Sequence, residues 1–248
     1  MWPFKRHPSV SVLCATFRPS GLAIPIACLK RQALKPDQIV FVADGIDFRA
    51  AMGGYTSVTG IANRLDWITI SRSPNLYGNC IPLNAGLDIV KGDVTMVLTD
   101  LATISDKWIE GHLALLTKNT CLVSGGTEVG GRWFPFGEGA TLKSSATASA
   151  VYGASLSIRT VLLRKIGGWD ERFNGGHGYD DFLLAHRAVA HSGLECTVST
   201  DPRVVAHRPP HDDGDKVIIR TVEENKALFE ALRSDQKELL KPAWRSLR

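Results

Sequence analysis

Four short apolar runs, spaced by helical stretches and turns, restrict the first half of this chain to few architectures. They are SVSVLCATF (9–17), QIVFVAD (38–44), DWITISR (66–72) and VTMVLTD (94–100). Each has strand length and is rich in β-branched residues. Between them, GLAIPIACLKRQAL (21–34) has helical spacing, with Pro25 confined to a first turn. CIPLNAGLDIVKG (80–92) predicts a helix with Pro82 near its start, Lys91 in its last turn and Gly92 as its stop. SDKWIEGHLALLTK (105–118) predicts another, with Ser105 as N-cap. Runs that are apolar throughout, rather than alternating, belong to strands covered on both faces, so a mainly parallel sheet between helical layers is expected. Such sheets bind ligands at the carboxyl ends of their strands. The loops after residues 17, 44, 72 and 100 should therefore share one rim.

The second half is less regular. TCLVSGG (120–126) and GASLSI (153–158) read as strands, and the Gly-, Ser- and Thr-rich segment between them as a long functional loop. CTVSTDPRVVAH (196–207) reads as a strand pair or a bent strand, and 217–240 as a helical tail closed by Pro242. The expected organisation is one α/β domain over 1–212 and a helical tail over 213–248. With 248 residues, 44% of them hydrophobic, there is material for a sizeable core. A net charge of +4 suits an anionic small ligand and not a dedicated nucleic-acid binder. Five widely spaced cysteines, with no C-x-x-C, fit buried reduced thiols and a cytoplasmic protein. The first ten residues hold no secretory apolar stretch, and no run of 18 apolar residues occurs. Residues 231–248 carry five basic and two acidic side chains plus Trp244. They read either as a peripheral membrane contact or as a helix packed on the domain.

Candidate functional residues follow from the rim. Asp100 ends an apolar run, where an α/β enzyme places a ligand for a metal or ribose; it could equally cap the next turn. GGHGYDDFLLAHRAVAHSG (175–193) sets three glycines in four residues before Asp180 and Asp181. The carboxylates either cap the helix that follows or are presented to a substrate, one of them as a general base. Glycines there allow unusual backbone dihedrals and close approach of a ligand. His207 and His211 follow another apolar run and are candidate metal ligands or ordinary polar residues. Trp169 is a core anchor or a sugar platform. GEGATLKSS lacks the P-loop ending, and no G-x-G-x-x-G follows the first run.

The order and spacing of these pieces resemble a family 2 glycosyltransferase of the GT-A fold, over roughly residues 9–207. The most specific stretches are GGWDERF…GGHGYDD and PLNAG. The resemblance implies an α/β, Rossmann-like fold with a mostly parallel central sheet. It also implies inverting, hexosyltransferase-type transfer from a nucleotide-sugar donor to a hydroxyl of a glycan or glycolipid. A UDP-linked sugar is the first donor to consider. On this likeness Thr16, Phe17, Asp44, Asn84 and Asp100 bind the donor, and Asp180 is the catalytic base. Trp169 and Asp181 contact the acceptor, and Asp100 with His207 holds a divalent cation, Mn or Mg. The chain departs from the pattern in four places. Leu101 stands where a metal-binding carboxylate is usual, Ala43 precedes Asp44, Tyr179 precedes Asp180, and Leu83 precedes Asn84. These departures keep a second reading open, a non-catalytic GT-A-like module that binds a nucleotide or sugar. A third, a sugar nucleotidyltransferase, lacks its glycine-rich signature in ATFRPSG.

Overall fold

A computed structural model describes residues 7–54, 58–72, 76–209 and 216–245. The chain runs β1 (Val10–Thr16), α1 (Ala23–Arg31), β2 (Gln38–Asp44), α2 (Phe48–Met52), β3 (Leu65–Ile70), α3 (Cys80–Ile89), β4 (Val94–Leu98), β5 (Thr103–Ile104) and α4 (Trp108–Leu115). It continues through β6 (Thr120–Gly125), β7 (Thr127–Val129), β8 (Arg132–Phe134), β9 (Thr141–Ser144), β10 (Ser155–Arg159), α5 (Thr160–Lys165) and α6 (Asp180–Ser192). β11 (Glu195–Ser199), β12 (Ala206–Arg208), α7 (Val222–Ser234) and α8 (Gln236–Leu240) complete it.

Every residue of β1, β2, β4 and β6 is buried, the expected mark of strands covered on both faces. Successive side chains of β1 enter different layers. Leu13 and Ala15 join α3, α6 and α7 on one face, and Val12 and Cys14 join α1 and α4 on the other. The main sheet has the order β3-β2-β1-β4-β10-β6-β11-β9. β3, β2, β1 and β4 are parallel, and β10 runs antiparallel to both β4 and β6. A small second sheet, β5-β12-β7-β8, lies beside it.

Several local expectations are corrected. α3 ends at Ile89, so Lys91 and Gly92 lie beyond it. The Gly92 N–H donates to Ser11 Oγ, and a Cβ there would strike the β1 backbone. Lys107, not Ser105, caps α4; the Ser105 hydroxyl instead accepts from the Lys107 N–H. The expected long loop between β6 and β10 holds β7, β8, β9 and a short 3-10 turn. In the tail, Lys216–Arg220 is not helical, and α7 begins at a Thr221–Glu224 capping box. Phe229, Leu232 and Leu239 of the tail are buried in the same core as α6. All five cysteines are buried and unbridged. No helix among the described residues is long and apolar enough to cross a membrane.

Candidate active site

The parallel register brings the ends of β1, β2 and β4 to one rim, as the spacing predicts. Asp100 lies just past β4 and is 3% exposed. Its Oδ2 accepts from Thr16 Oγ1 at 2.7 Å and from an Arg18 nitrogen at 2.8 Å, and its Oδ1 faces Arg208 at 3.6 Å. Asp44, at the end of β2, is 1% exposed. Arg72 grips it through two nitrogens, and Lys216 Nζ donates to it at 2.7 Å. The Phe17 ring lies against both clusters, 4.0 Å from the Arg18 guanidinium and 5.1 Å from Lys216 Nζ. This rim therefore carries four cations on two buried carboxylates.

That arrangement revises the expected donor set. Thr16 and Asp44 reach the rim, but each side chain is engaged within the protein. Asn84 is not at the rim surface. It is fully buried, and its amide donates to the Trp169 carbonyl at 2.8 Å and to Glu171 Oε1 at 2.9 Å. Its Oδ1 accepts the Trp169 N–H at 2.9 Å. With both amide hydrogens committed, Asn84 cannot meet a phosphate. Trp169, 1% exposed, is a core anchor and not a sugar platform.

Asp180 and Asp181 open α6 and line a cleft of about 460 Å³, together with Tyr77, Cys80, Tyr152, Gly153 and Arg208. Two grooves of about 650 and 810 Å³ lie at the opposite strand ends, away from both carboxylates. The chain reaches Asp180 through left-handed conformations at Gly178 and Tyr179 (φ 75° and 70°). Such a conformation at a tyrosine costs on the order of 1–3 kcal/mol and persists only where its surroundings enforce it. The Tyr179 ring packs on Phe182 and Phe229, at 5.4 and 5.6 Å. The glycine loop is clamped at its start, while Gly176, His177 and Gly178 line the cleft. The Gly175 carbonyl accepts the N–H groups of Ile219 and Arg220, both at 2.8 Å, and a Cβ at Gly175 would strike Ile219. The Asn225 amide reaches the carbonyls of His177 and Gly178, each at 3.2 Å. Gly175 and Gly176 thus make room for the chain's own C-terminal segment, whereas a Cβ at Gly178 would meet open space.

The two carboxyls differ. Asp180 is raised above the ordinary carboxylate value by burial, against the pull of backbone N–H groups and the Cys80 thiol, which donates to Oδ2 at 3.7 Å. Asp181 is pushed well above its ordinary value, first by burial and then by the Asp180 charge. It accepts the Gly153 N–H at 3.0 Å, and Trp169 Nε1 lies beside it without completing a hydrogen bond. The α6 macrodipole favours both charges but does not offset burial.

Asp100 and His207 do not converge. Along β12 the Arg208 side chain faces Asp100, so its neighbour His207 points to the other face. There His207 Nδ1 lies 3.3 Å from Glu128 Oε2, with Trp133 edge-on at 5.9 Å. Leu101 has no donor atom, and Asp100 is already held by guanidinium and hydroxyl groups. No group of three or more His, Cys, Asp or Glu among the described residues is disposed to hold a metal. This donor set does not fit a divalent cation. His211 lies outside the described residues.

No protein-family model matches the chain, and no curated protein does. Solved structures do. TarS 1–349 from S. aureus superposes with a TM-score of 0.66 at 17% identity, over 96% of this chain and 67% of that one. Its complex with UDP-GlcNAc gives 0.66 at 15% identity, over 94% and 70%. A Pyrobaculum calidifontis mannosyltransferase in complex with GDP-Man and Mn2+ gives 0.59 at 16% identity, over 85% and 59%. The chain has the GT-A fold of these glycosyltransferases. It spans 37% of the longer TarS chain.

Within the GT-A sheet, the rim reasoning finds the carboxylates and misses their partners. Arg18 and Arg72 directly follow two rim strands, a signal the sequence contains. Arg208 is one residue from His207, and the two-residue strand period separates their faces. Cys80 and Lys216 offer no local signal, because their partners lie 100 and 172 residues away.

Proposed function

We propose that this protein transfers a hexose, with inversion, from a nucleotide-sugar donor to a hydroxyl of a glycan or glycolipid in the cytoplasm. A UDP-linked donor is the first to test. The observation that carries the reading is the Asp180–Asp181 pair. It is half-buried, has no Lys or Arg partner among the described residues, and opens into the cleft at the strand ends of a GT-A sheet. Asp180 is the general base. As the acceptor oxygen attacks the anomeric carbon, its proton passes to an Asp180 carboxylate oxygen. The bond to the diphosphate breaks, and the electron pair leaves with the phosphate oxygen. A base raised toward the working pH is better matched to that proton than an ordinary aspartate. Asp181, held by the Gly153 N–H and raised by burial and by the Asp180 charge, contacts the acceptor. Phe17 and the Asp44 and Asp100 clusters, with Thr16 behind Asp100, form the donor side.

The test is Asp180→Asn. Transfer falls by about two to four orders of magnitude, the usual worth of a general base, while UDP affinity measured by calorimetry stays within a few-fold. Unimpaired turnover in this variant would remove Asp180 from the role.

A further inference from the structure

The loop that carries Asp180 has little to hold it from within. Three of the four residues 175–178 are glycine, and such a stretch samples many backbone paths unless something fixes it. The C-terminal segment does so. The carbonyls of Arg172, Asn174, Gly175, His177 and Gly178 all accept hydrogen bonds from Ile219, Arg220 or Asn225. Asn225 of α7 acts nearest to Asp180. It is wholly buried, and its amide donates at 3.2 Å to each of the last two carbonyls before Tyr179. Its Oδ1 has no hydrogen-bond partner among the described residues. Turned over, the amide would set that oxygen against two carbonyl oxygens, so the loop carbonyls decide how it sits. A Cβ at Gly176 would come within 2.9 Å of the Asn225 amide nitrogen, so the second glycine of the loop is what admits the amide. Phe229, one turn further along the same face of α7, lays its ring 5.6 Å from that of Tyr179 and 5.9 Å from that of Phe182. Between these two contacts the chain passes through left-handed conformations at Gly178 and Tyr179 and enters α6 at Asp180. A tyrosine rarely adopts that conformation unaided.

We propose that Asn225 is a positioning residue for Asp180. By holding the carbonyls of His177 and Gly178, it keeps Gly178 and Tyr179 in their left-handed path and sets the Asp180 carboxyl where it lines the cleft. The segment from Lys216 to Phe229 then belongs to the catalytic unit and is not a separable tail. This inference rests on the proposed role of Asp180 as base and adds to it the residue that places the base. Asn225 itself touches no substrate. Without its amide, the two carbonyls lose their donors, Tyr179 relaxes toward negative φ, and the first turn of α6 moves with it. A displacement of about 1 Å in a catalytic group costs roughly a hundredfold in rate.

The experiment measures UDP release by the full chain from a panel of UDP-hexoses, with water as the acceptor. The water oxygen bonds to the anomeric carbon, its proton passes to Asp180, and the bond to UDP breaks with its electron pair on the phosphate oxygen. Wild type is compared with Asn225→Leu, Asp180→Asn and the double variant. Asn225→Leu keeps the size of the side chain, and Asn225→Ala takes its place if thermal melting shows that it does not fold. Leu232→Ala, a core truncation in the same helix, is the control for lost stability. The Asn225 variant should lose kcat roughly a hundredfold, while KM for the donor and UDP affinity by calorimetry stay within about threefold. Leu232→Ala should melt earlier yet keep kcat within about twofold. On top of Asp180→Asn, the Asn225 substitution should cost less than about threefold more, since no base is left to place. An Asn225 variant with kcat within about twofold of wild type overturns the proposal and leaves the base reading standing. So does an equal loss in Leu232→Ala, a loss confined to KM, or a second hundredfold loss on top of Asp180→Asn. Unimpaired Asp180→Asn, or a wild type that releases UDP from no UDP-hexose, overturns the base or donor reading itself, and the proposal with it.

Discussion

Asp170, in the stretch GGWDERF, should be among the most expensive carboxylates in the molecule to neutralise. It is 2% exposed and meets Arg187 of α6 at 2.9 Å, where both side chains are 1% exposed. Arg172 binds it through two nitrogens at 2.7 and 2.8 Å, and its Oδ1 also caps the 3-10 turn Glu171–Phe173. Arg187 lies seven residues beyond Asp180 on the same helix, so this pair ties the candidate base's helix to the segment before it. Asp170→Asn keeps the shape and removes the charge. Arg172 is 32% exposed and can turn to water at little cost. Arg187 cannot, and a buried charge stripped of its partner costs about 3–5 kcal/mol. At roughly 2–4 °C per kcal/mol for a chain of this size, the melting temperature should fall by about 6–20 °C. Arg187→Met added to Asp170→Asn should restore much of the loss, since it removes the stranded charge. Acid supplies a second check. Burial alone would raise Asp170, but the Arg172 hydrogen bond and the Arg187 and Arg172 charges outweigh it and hold it below the ordinary value. The folded-state pKa is therefore below the unfolded one. The stabilisation is complete above the unfolded value and disappears as pH falls through the folded one. Circular dichroism melts of wild type and variant should differ by a constant amount near neutrality and converge in strong acid. A neutral-pH loss under about 1 kcal/mol, or a double variant no better than Asp170→Asn, would refute the reasoning.

Two further outcomes follow from the cleft. Asp180 and Asp181 are both raised, so the folded state takes up protons more readily than the unfolded one, and their burial costs stability once pH rises past the unfolded value. Asp181→Asn should thus stabilise the protein at neutral pH by about 1–2 kcal/mol while reducing transfer, with the gain vanishing below the ordinary aspartate range; melts across pH would show it, and a destabilised variant at neutrality would contradict it. Gly153→Ala puts a methyl 2.3 Å from both Asp181 carboxylate oxygens. It should displace Asp181 and lower transfer by roughly tenfold or more with little loss of UDP affinity, as expected for a misplaced acceptor contact, measured by turnover alongside calorimetry.

The parallel half of the fold is legible because β1, β2 and β4 are apolar on both faces, and burial of their every residue is the same fact seen in three dimensions; β3, at the edge, is only partly covered. α6 is legible for a similar reason: Asp180 starts it and Gly193, in a left-handed conformation, ends it. Motif spacing misplaces Asn84 and Trp169. Spacing reports that two stretches stay in step along a chain, and a structural clasp requires that as firmly as a ligand contact does. Here Asn84 and Trp169 bond to one another through both backbone and side chain. The second sheet is illegible because β7 and β8 have three residues each, too few for a two-residue period to rise above chance. The glycine loop is misread in a different way. Small residues signal close approach, but not by what: at Gly175 the approaching group is the segment Ile219–Arg220, and Gly178 lines the cleft.

The electrostatics of the site divide its carboxylates by neighbour. Asp44 and Asp100 each meet two Lys or Arg cations, whereas the charge that acts on Asp180 is that of His177. Burial raises both Asp180 and Asp181 above the ordinary carboxylate value, against the backbone N–H groups, the Cys80 thiol and the His177 charge at Asp180. The same rim thus separates two tasks that need opposite environments. Arg18, Arg72, Arg208 and Lys216 collect around Asp44 and Asp100 where β1, β2 and β4 end. Proton affinity collects across the cleft at the head of α6. The proposed transfer would use both sides of the cleft, and their placement follows from where β1, β2, β4 and α6 end in the GT-A sheet.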